Sequence, residues 1–315
     1  MRWGVALLLV AACGRFGFDP TQVCVDGVCS NGDDAGGRGD AVDAPSILID
    51  GAPGVDTDGD SFNDDVDNCI FIANPTQHDE DTDSRGDVCD NCPTLANNDQ
   101  ANVGEVNAGQ TADSVGDVCD PRPTQPGESI LFFEPFTGAA LASDWTVING
   151  TWVIGNDVVA QNTLVSDQRI HDLAFTGGAD YIVEARFTFS ALDTGNVNAG
   201  IIHRMSNDNG WLCAVFRDDT IMPVASLLMI WSLQNGAANF ERNRATIAEP
   251  KPGDTFRLLA GGFGSNLYCA LDSLQTGPSA PFTSNQNASG VPGMRTNRTS
   301  GAYSTFIVYG LGGPI

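Results

Sequence analysis

The chain has 315 residues, 42% of them hydrophobic, and a formal net charge of −25 at pH 7. Its length suits about two domains. A chain this acidic gains no hold on nucleic-acid phosphates, which excludes that class of partner. The acid is concentrated. Residues 33–120 carry 22 acidic residues against Arg38 and Arg85, a net of −20, whereas residues 128–315 carry 16 against ten basic ones.

At the N-terminus Arg2 precedes an apolar run from Trp3 to Ala12, too short to span a bilayer, as in an export signal. The run ends Val10-Ala11-Ala12-Cys13-Gly14. This resembles the lipobox of bacterial lipoproteins, and the resemblance implies cleavage of residues 1–12, lipid on Cys13 and, with Gly14 next, a place at the outer membrane or cell surface. A plain secretory signal, with Cys13 as an odd cysteine, is the alternative. Eight cysteines then remain, an even number suited to disulfides in an exported chain. In residues 13–30, Cys24 and Cys29 bracket Val25-Asp26-Gly27-Val28. Asp-Gly favours a two-residue type I′ turn, which makes the cysteines a cross-strand pair within disulfide reach. Residues 31–54 are rich in Gly, Asp, Ala and Pro without an apolar period and read as a flexible linker. The integrin-type tripeptide Arg38-Gly39-Asp40 inside it is read as chance.

From Asp56 the chain repeats at an offset of 23. Asp56, Asp58, Asp60, Asp64 and Asp67-Asn68-Cys69 recur as Asp79, Asp81, Asp83, Asp87 and Asp90-Asn91-Cys92, and Asn74 and Gln77 recur as Asn97 and Gln100. Two carboxylates ~4 Å apart repel by about 4 kcal/mol at an effective dielectric of 20. The stretch DTDGDSFNDDVDNC therefore either stays extended in water or folds around a cation. Counted from Asp56 or Asp79, carboxylates fall at positions 1, 3, 5, 9 and 12, the spacing of an EF-hand-like loop, with the carbonyl of Phe62 or Arg85 at position 7. Oxygen-only ligands favour Ca²⁺. Position 6 is Ser61 or Ser84 where such loops want Gly, so a slacker turn is expected, and no flanking amphipathic helices are visible.

These residues, with Asn74-Pro75-Thr76-Gln77 and Gly86-Asp87-Val88-Cys89-Asp90-Asn91-Cys92-Pro93, resemble thrombospondin type 3 repeats over residues 55–121. The resemblance implies an almost core-less chain wound around calcium and stapled by Cys69–Cys89 and Cys92–Cys119. A third copy is degraded. Asp113, Asp117, Cys119 and Asp120 match its end at an offset of 30, seven residues have entered around VGEVNAGQ, and Asn102 stands where the first Asp belongs. A weak or absent site is expected there.

Residues 128–315 change character. WTVING, TWVIGNDVVAQN, YIVEARFTFSA, NAGIIHRM, GWLCAVFR, ASLLMIWSL, TFRLLAGGF, LYCALDS and TFIVYG alternate or are continuously apolar between turn residues. This predicts a mainly β chain whose C-terminal part is an all-β sandwich. Phe136, Asp144-Trp145-Thr146-Val147, Gly150-Thr151-Trp152, Asn198-Ala199-Gly200-Ile201-Ile202 with Arg204, Gly293-Met294-Arg295-Thr296 and Val308-Tyr309-Gly310 resemble concanavalin A-like and laminin G-like jelly rolls. That resemblance implies glycan or cell-surface protein binding or, as the alternative, glycan hydrolysis; a purely structural surface protein is the third reading. Hydrolysis needs two carboxylates at a defined separation, and no catalytic residue is identified. Glu184, between Val183 and Ala185, is placed on the solvent face, Trp145, Trp152, Trp211 and Trp231 in the core, and His171 and His203 in structural or surface roles. Cys213 and Cys269 remain as a sandwich disulfide or two buried thiols.

Overall fold

The computed structural model describes the backbone of two short N-terminal strands and residues 54–312 apart from 173 and 177. The expectations for residues 1–12, Cys13, the linker and Arg38-Gly39-Asp40 lie outside the described residues. The two short strands, β1 (Val23–Val25) and β2 (Val28–Ser30), pair antiparallel with Cys24 opposite Cys29, the register expected from the sequence; the side chains of the two cysteines lie outside what is described.

Residues 54–128 hold turns and bends and a single helical turn, α1 (Gly104–Asn107). With few apolar side chains to bury, this region is held by polar contacts and by the disulfides Cys69–Cys89 and Cys92–Cys119. Each closes a loop of 20 or 27 residues, worth about 3 kcal/mol in unfolded-state entropy.

The sandwich follows. One sheet has the order β12 (Ala237–Thr246), β11 (Ala225–Gln234), β10 (Asn209–Asp218), β9 (Asn196–Ser206), β16 (Val291–Asn297), β7 (Gln168–Asp172) and β4 (Trp145–Asn149). The other runs β15 (Phe282–Thr283), β14 (Asn266–Leu271), β13 (Thr255–Phe263), β8 (Tyr181–Leu192), β17 (Thr299–Gly310), β6 (Val159–Gln161) and β5 (Trp152–Ile154), and β3 (Ser129–Glu134) pairs with the second half of β17. The sandwich pairings are antiparallel.

Period-two alternation decides what each face does. Val183, Ala185, Phe187 and Phe189 of β8 point into the inter-sheet core beside Tyr303, Phe306 and Val308 of β17. Ile201 of β9, Trp211, Cys213 and Val215 of β10 and Leu228 and Ile230 of β11 meet them from the other sheet. Cys213 and Cys269 both point inward and form a disulfide between the two sheets. Trp145, Trp152 and Trp211 are buried in this core. His171 and His203 are buried as well, and burial pushes their pKa values down to about 4 and about 3, so both are neutral at pH 7.

The strands β3, β7, β12, β15 and β16 lie outside the runs that the sequence marks, and β12 and β16 do so for opposite reasons. β12 is a largely exposed edge strand with four charged or amide side chains in a row, Glu241-Arg242-Asn243-Arg244, and no apolar period. β16 is almost wholly buried yet contains Pro292, Arg295 and Asn297.

The expectation for Glu184 was wrong. It is fully buried, because the outer face of the β8–β13–β17 sheet is covered by the repeat region. Cys92, Cys119 and Val115 pack there on Ile130, Ile182, Leu259, Ile307 and Tyr309. Glu184 takes both arms of Arg257 at 2.7 Å, the Thr94 hydroxyl at 3.0 Å and the Tyr309 hydroxyl at 3.2 Å. Arg186 donates to the Thr94 carbonyl and Gln275 to the Pro121 carbonyl. The second half of the repeat region is thus fixed to the sandwich.

Candidate functional site

The two repeats build near-identical loops. The first aspartate, Asp56 or Asp79, accepts from the backbone N–H of positions 4 and 6: Gly59 and Ser61 in one copy, Thr82 and Ser84 in the other. Ser61 and Ser84 adopt φ of 86° and 79°. The slacker turn expected from serine does not occur; the serines enter the left-handed region that Gly would occupy more cheaply, at about 1–2 kcal/mol each. The fifth-position aspartate binds one carboxylate oxygen to the N–H of Phe62 or Arg85 and the other to that of Asn74 or Asn97.

The twelfth-position aspartates close the loops. Asp67 accepts from the Cys69 N–H and the Gln77 amide, Asp90 from the Cys92 N–H and the Gln100 amide. Asn74 and Asn97 lock onto Asn68 and Asn91 at 2.7 Å, which is why these amides recur with the acids. A methyl group on Gly86 would come within 2.6 Å of the Cys69 sulfur, and one on Gly116 within 2.8 Å of the Cys92 sulfur, so glycine is required where each disulfide crosses the backbone.

The ninth-position aspartates make backbone and side-chain contacts of their own. Asp64 accepts from the N–H and hydroxyl of Thr57, Asp87 from the Glu80 N–H and His78, and Asp117 from the N–H groups of Val103 and Gly104. They fasten the start of each loop and stand outside its carboxylate cluster.

What gathers is Asp56, Asp58 and Asp60 in one loop and Asp79, Asp81 and Asp83 in the other, with one oxygen of each within 4.8 Å of the other two. One oxygen each of Asp58, Asp67 and Asp81 is buried without a hydrogen-bond donor. Burial, then Asp83 and Asp90, push the Asp81 carboxyl up to about 7, and burial raises Asp90 to about 6. Orphaned, crowded carboxylate oxygens fit a hard divalent cation: it would be held by positions 1, 3 and 5, with position 12 alongside, and would supply the positive charge the loops lack.

A second candidate site lies on the sandwich. The outer face of the β9–β10–β11–β16 sheet carries a groove of about 260 Å³. Phe216, Leu212 and Ala214 of β10 form its apolar floor with Trp231 of β11, and Asn196, Asn198, Arg295 and Asn297 bring polar groups to it. Trp231 is partly buried and lies outside the inter-sheet core: Leu228 and Ile230 take the inward positions of β11, which leaves Trp231 on the outer face, packed against the Ile202, Leu212 and Ala214 cluster. Asp167, the single carboxylate lining this groove, is ion-paired to Arg295 at 2.8 Å and Arg169 at 3.3 Å. Arg295 also donates to Asn198 at 2.7 Å. Among the described residues, no helix is long and apolar enough to cross a membrane.

Residues 54–77 and 77–100 match the thrombospondin type 3 repeat family. No curated protein matches the chain. Among solved structures, the chain is similar to the carbohydrate-binding module CBM66 from Bacillus subtilis at 16% identity, covering 51% of this chain and 91% of that one with a TM-score of 0.41. It is similar to the Ca²⁺/Man2-bound exoplasmic/lumenal domain of VIP36 at 12% identity, covering 58% and 88% with a TM-score of 0.43. It is also similar to the GH43 protein BlXynB from Bacillus licheniformis at 13% identity, covering 57% and 39% with a TM-score of 0.44.

Proposed function

We propose that this chain is an exported surface protein, tethered through lipid on Cys13, in which Ca²⁺-filled repeats brace a sandwich that binds glycan in the Trp231 groove. The groove carries this reading. The indole of Trp231, opposite Leu212, and the ring of Phe216 further along β10 give the groove apolar surface with a polar edge, the kind of surface a pyranose ring can stack on. Asn196, Asn198, Asn297 and Arg295 place amide and guanidinium groups around it to meet hydroxyls, the usual composition of a small-molecule site. Glycosidases of the common type need two carboxylates flanking the scissile bond. Asp167 is one, and its charge is already engaged by two arginines. Binding without hydrolysis is the chemistry this arrangement supports.

The test is a glycan array probed with the calcium-loaded full chain and with Trp231→Ala. Retention of a defined glycan class by the wild type, lost in Trp231→Ala while the melting temperature holds, supports the proposal. Equal retention by both proteins would move the ligand elsewhere, and release of reducing ends from a retained glycan would replace binding with hydrolysis.

A further inference from the structure

The third copy of the repeat lost its first two carboxylates, yet its remaining aspartates keep the contacts of their counterparts. Asp113 accepts from the Val115 N–H with one oxygen and from the Glu128 N–H with the other, as Asp83 does with Arg85 and Asn97. Asp120 accepts from the Arg122 N–H as Asp90 does from Cys92. The other oxygen of Asp120 is buried and has no donor, as in Asp67.

The insertion contains α1, whose Glu105 is fully buried although neither of its carboxylate oxygens meets a hydrogen-bond donor. An oxygen of Glu105 lies within 4.8 Å of oxygens of both Asp113 and Asp120. We propose that Glu105, Asp113 and Asp120 form a third divalent-cation site, in which Glu105 from the inserted turn replaces the carboxylates missing from positions 1 and 3.

A buried carboxylate without a donor is tolerated only if it is protonated or meets a cation. Around this cluster stand Glu105, Asp113, Asp120 and Glu128, with Arg122 bonded to Glu128. Fully ionised, four acids against one base would leave an excess of three negative charges in a mostly buried cluster. Burial, then the Glu105 carboxyl against it, then Glu128 and Asp113 push the Asp120 carboxyl up to about 9, and burial lifts Glu128 to about 8. Oxygen-only donors again select a hard ion such as Ca²⁺. The site lies beyond residue 100, where the family match ends. It is also where the repeats join the sandwich: Glu128, which binds Asp113 through its N–H and Ser114 through its carbonyl, immediately precedes β3. An ion here would fix the last loop of the repeats to the first strand of the sandwich.

The assignment rests on the calcium reading of the first two loops, and the experiment separates the two. The full chain, dialysed free of metal, is titrated with CaCl₂ by calorimetry and melted with and without Ca²⁺, alongside Glu105→Gln and Asp81→Asn. Expected is one ion fewer per chain for each variant, with Glu105→Gln melting higher than wild type without calcium and gaining less from its addition. A full complement of ions in Glu105→Gln while Asp81→Asn loses one would overturn the third site alone. So would a lower melting point of metal-free Glu105→Gln, which would show that protein groups already satisfy the carboxylate. Unchanged stoichiometry in both variants would overturn the calcium reading as a whole. Should Glu105→Gln not fold, Glu105→Asp keeps the charge but retracts it: a weakened site among otherwise intact ones supports the assignment, an unchanged set refutes it.

Discussion

Replacing Glu184 with alanine should destabilise the calcium-loaded chain by about 3 kcal/mol. The side chain is fully buried and holds Arg257 through two 2.7 Å contacts. Removing one partner of a buried pair costs about 3–5 kcal/mol, because the other charge stays behind without compensation. Arg257 keeps 14% of its side chain exposed, so water relieves part of that cost and the lower end applies. Thr94 and Tyr309 lose an acceptor as well; burial and Glu184 hold the Tyr309 hydroxyl far above its usual pKa, so it keeps the proton it donates to Glu184. For a domain of this size, about 3 kcal/mol lowers the melting temperature by about 6–12 °C. Calorimetric melting of wild type, Glu184→Ala, Arg257→Met and the double variant would measure it. The double variant should recover part of the loss, since it leaves no lone charge. On an open solvent face the substitution would cost no more than about 0.5 kcal/mol. A loss below 1 kcal/mol, or additive effects in the double variant, would refute the docking of the repeats on this sheet.

Metal-free wild type should lose stability relative to Asp81→Asn as pH rises. The Asp81 carboxyl titrates at about 7 in the folded chain against an ordinary 3.8, so the folded state holds its proton more tightly than the unfolded one. The stabilisation is therefore complete below about pH 4 and lost as pH climbs through 7; melting curves of both proteins from pH 4 to 8 would show the gap widening, and parallel curves would contradict it. Ser61→Gly and Ser84→Gly should each stabilise the loops by about 1 kcal/mol, read as a higher melting point, because glycine enters φ of 86° or 79° without a Cβ clash. Replacing both Cys213 and Cys269 with alanine should cost about 4 kcal/mol by urea unfolding, from the 56-residue separation they close. Cys13→Ser should release the protein from the membrane fraction or leave its signal uncleaved; a processed variant that still sediments with membranes would end the lipid-anchor proposal.

The repeat was legible in the chain because an aspartate loop is a local device: Asp56 to Asp67 and Asp79 to Asp90 set their own spacing, and nothing remote is needed to see it. The two-sheet sandwich was legible for a similar reason, since runs such as Tyr181–Leu192 carry the period of a strand in their own residues. Faces are another matter. Alternation says that Ile182, Glu184 and Arg186 share one side of β8, not whether water or protein covers it, and only packing of Cys92, Val115 and Cys119 across that sheet made Glu184 a buried partner of Arg257. Trp231 shows the converse, an aromatic residue in an apolar strand turned outward because Leu228 and Ile230 take the core side. Glu105 sits in an insertion that breaks the repeat, so no spacing marks it. Its place beside Asp113 and Asp120 exists only once the chain has closed on itself, because proximity between residues from different turns is a property of the fold and not of their order.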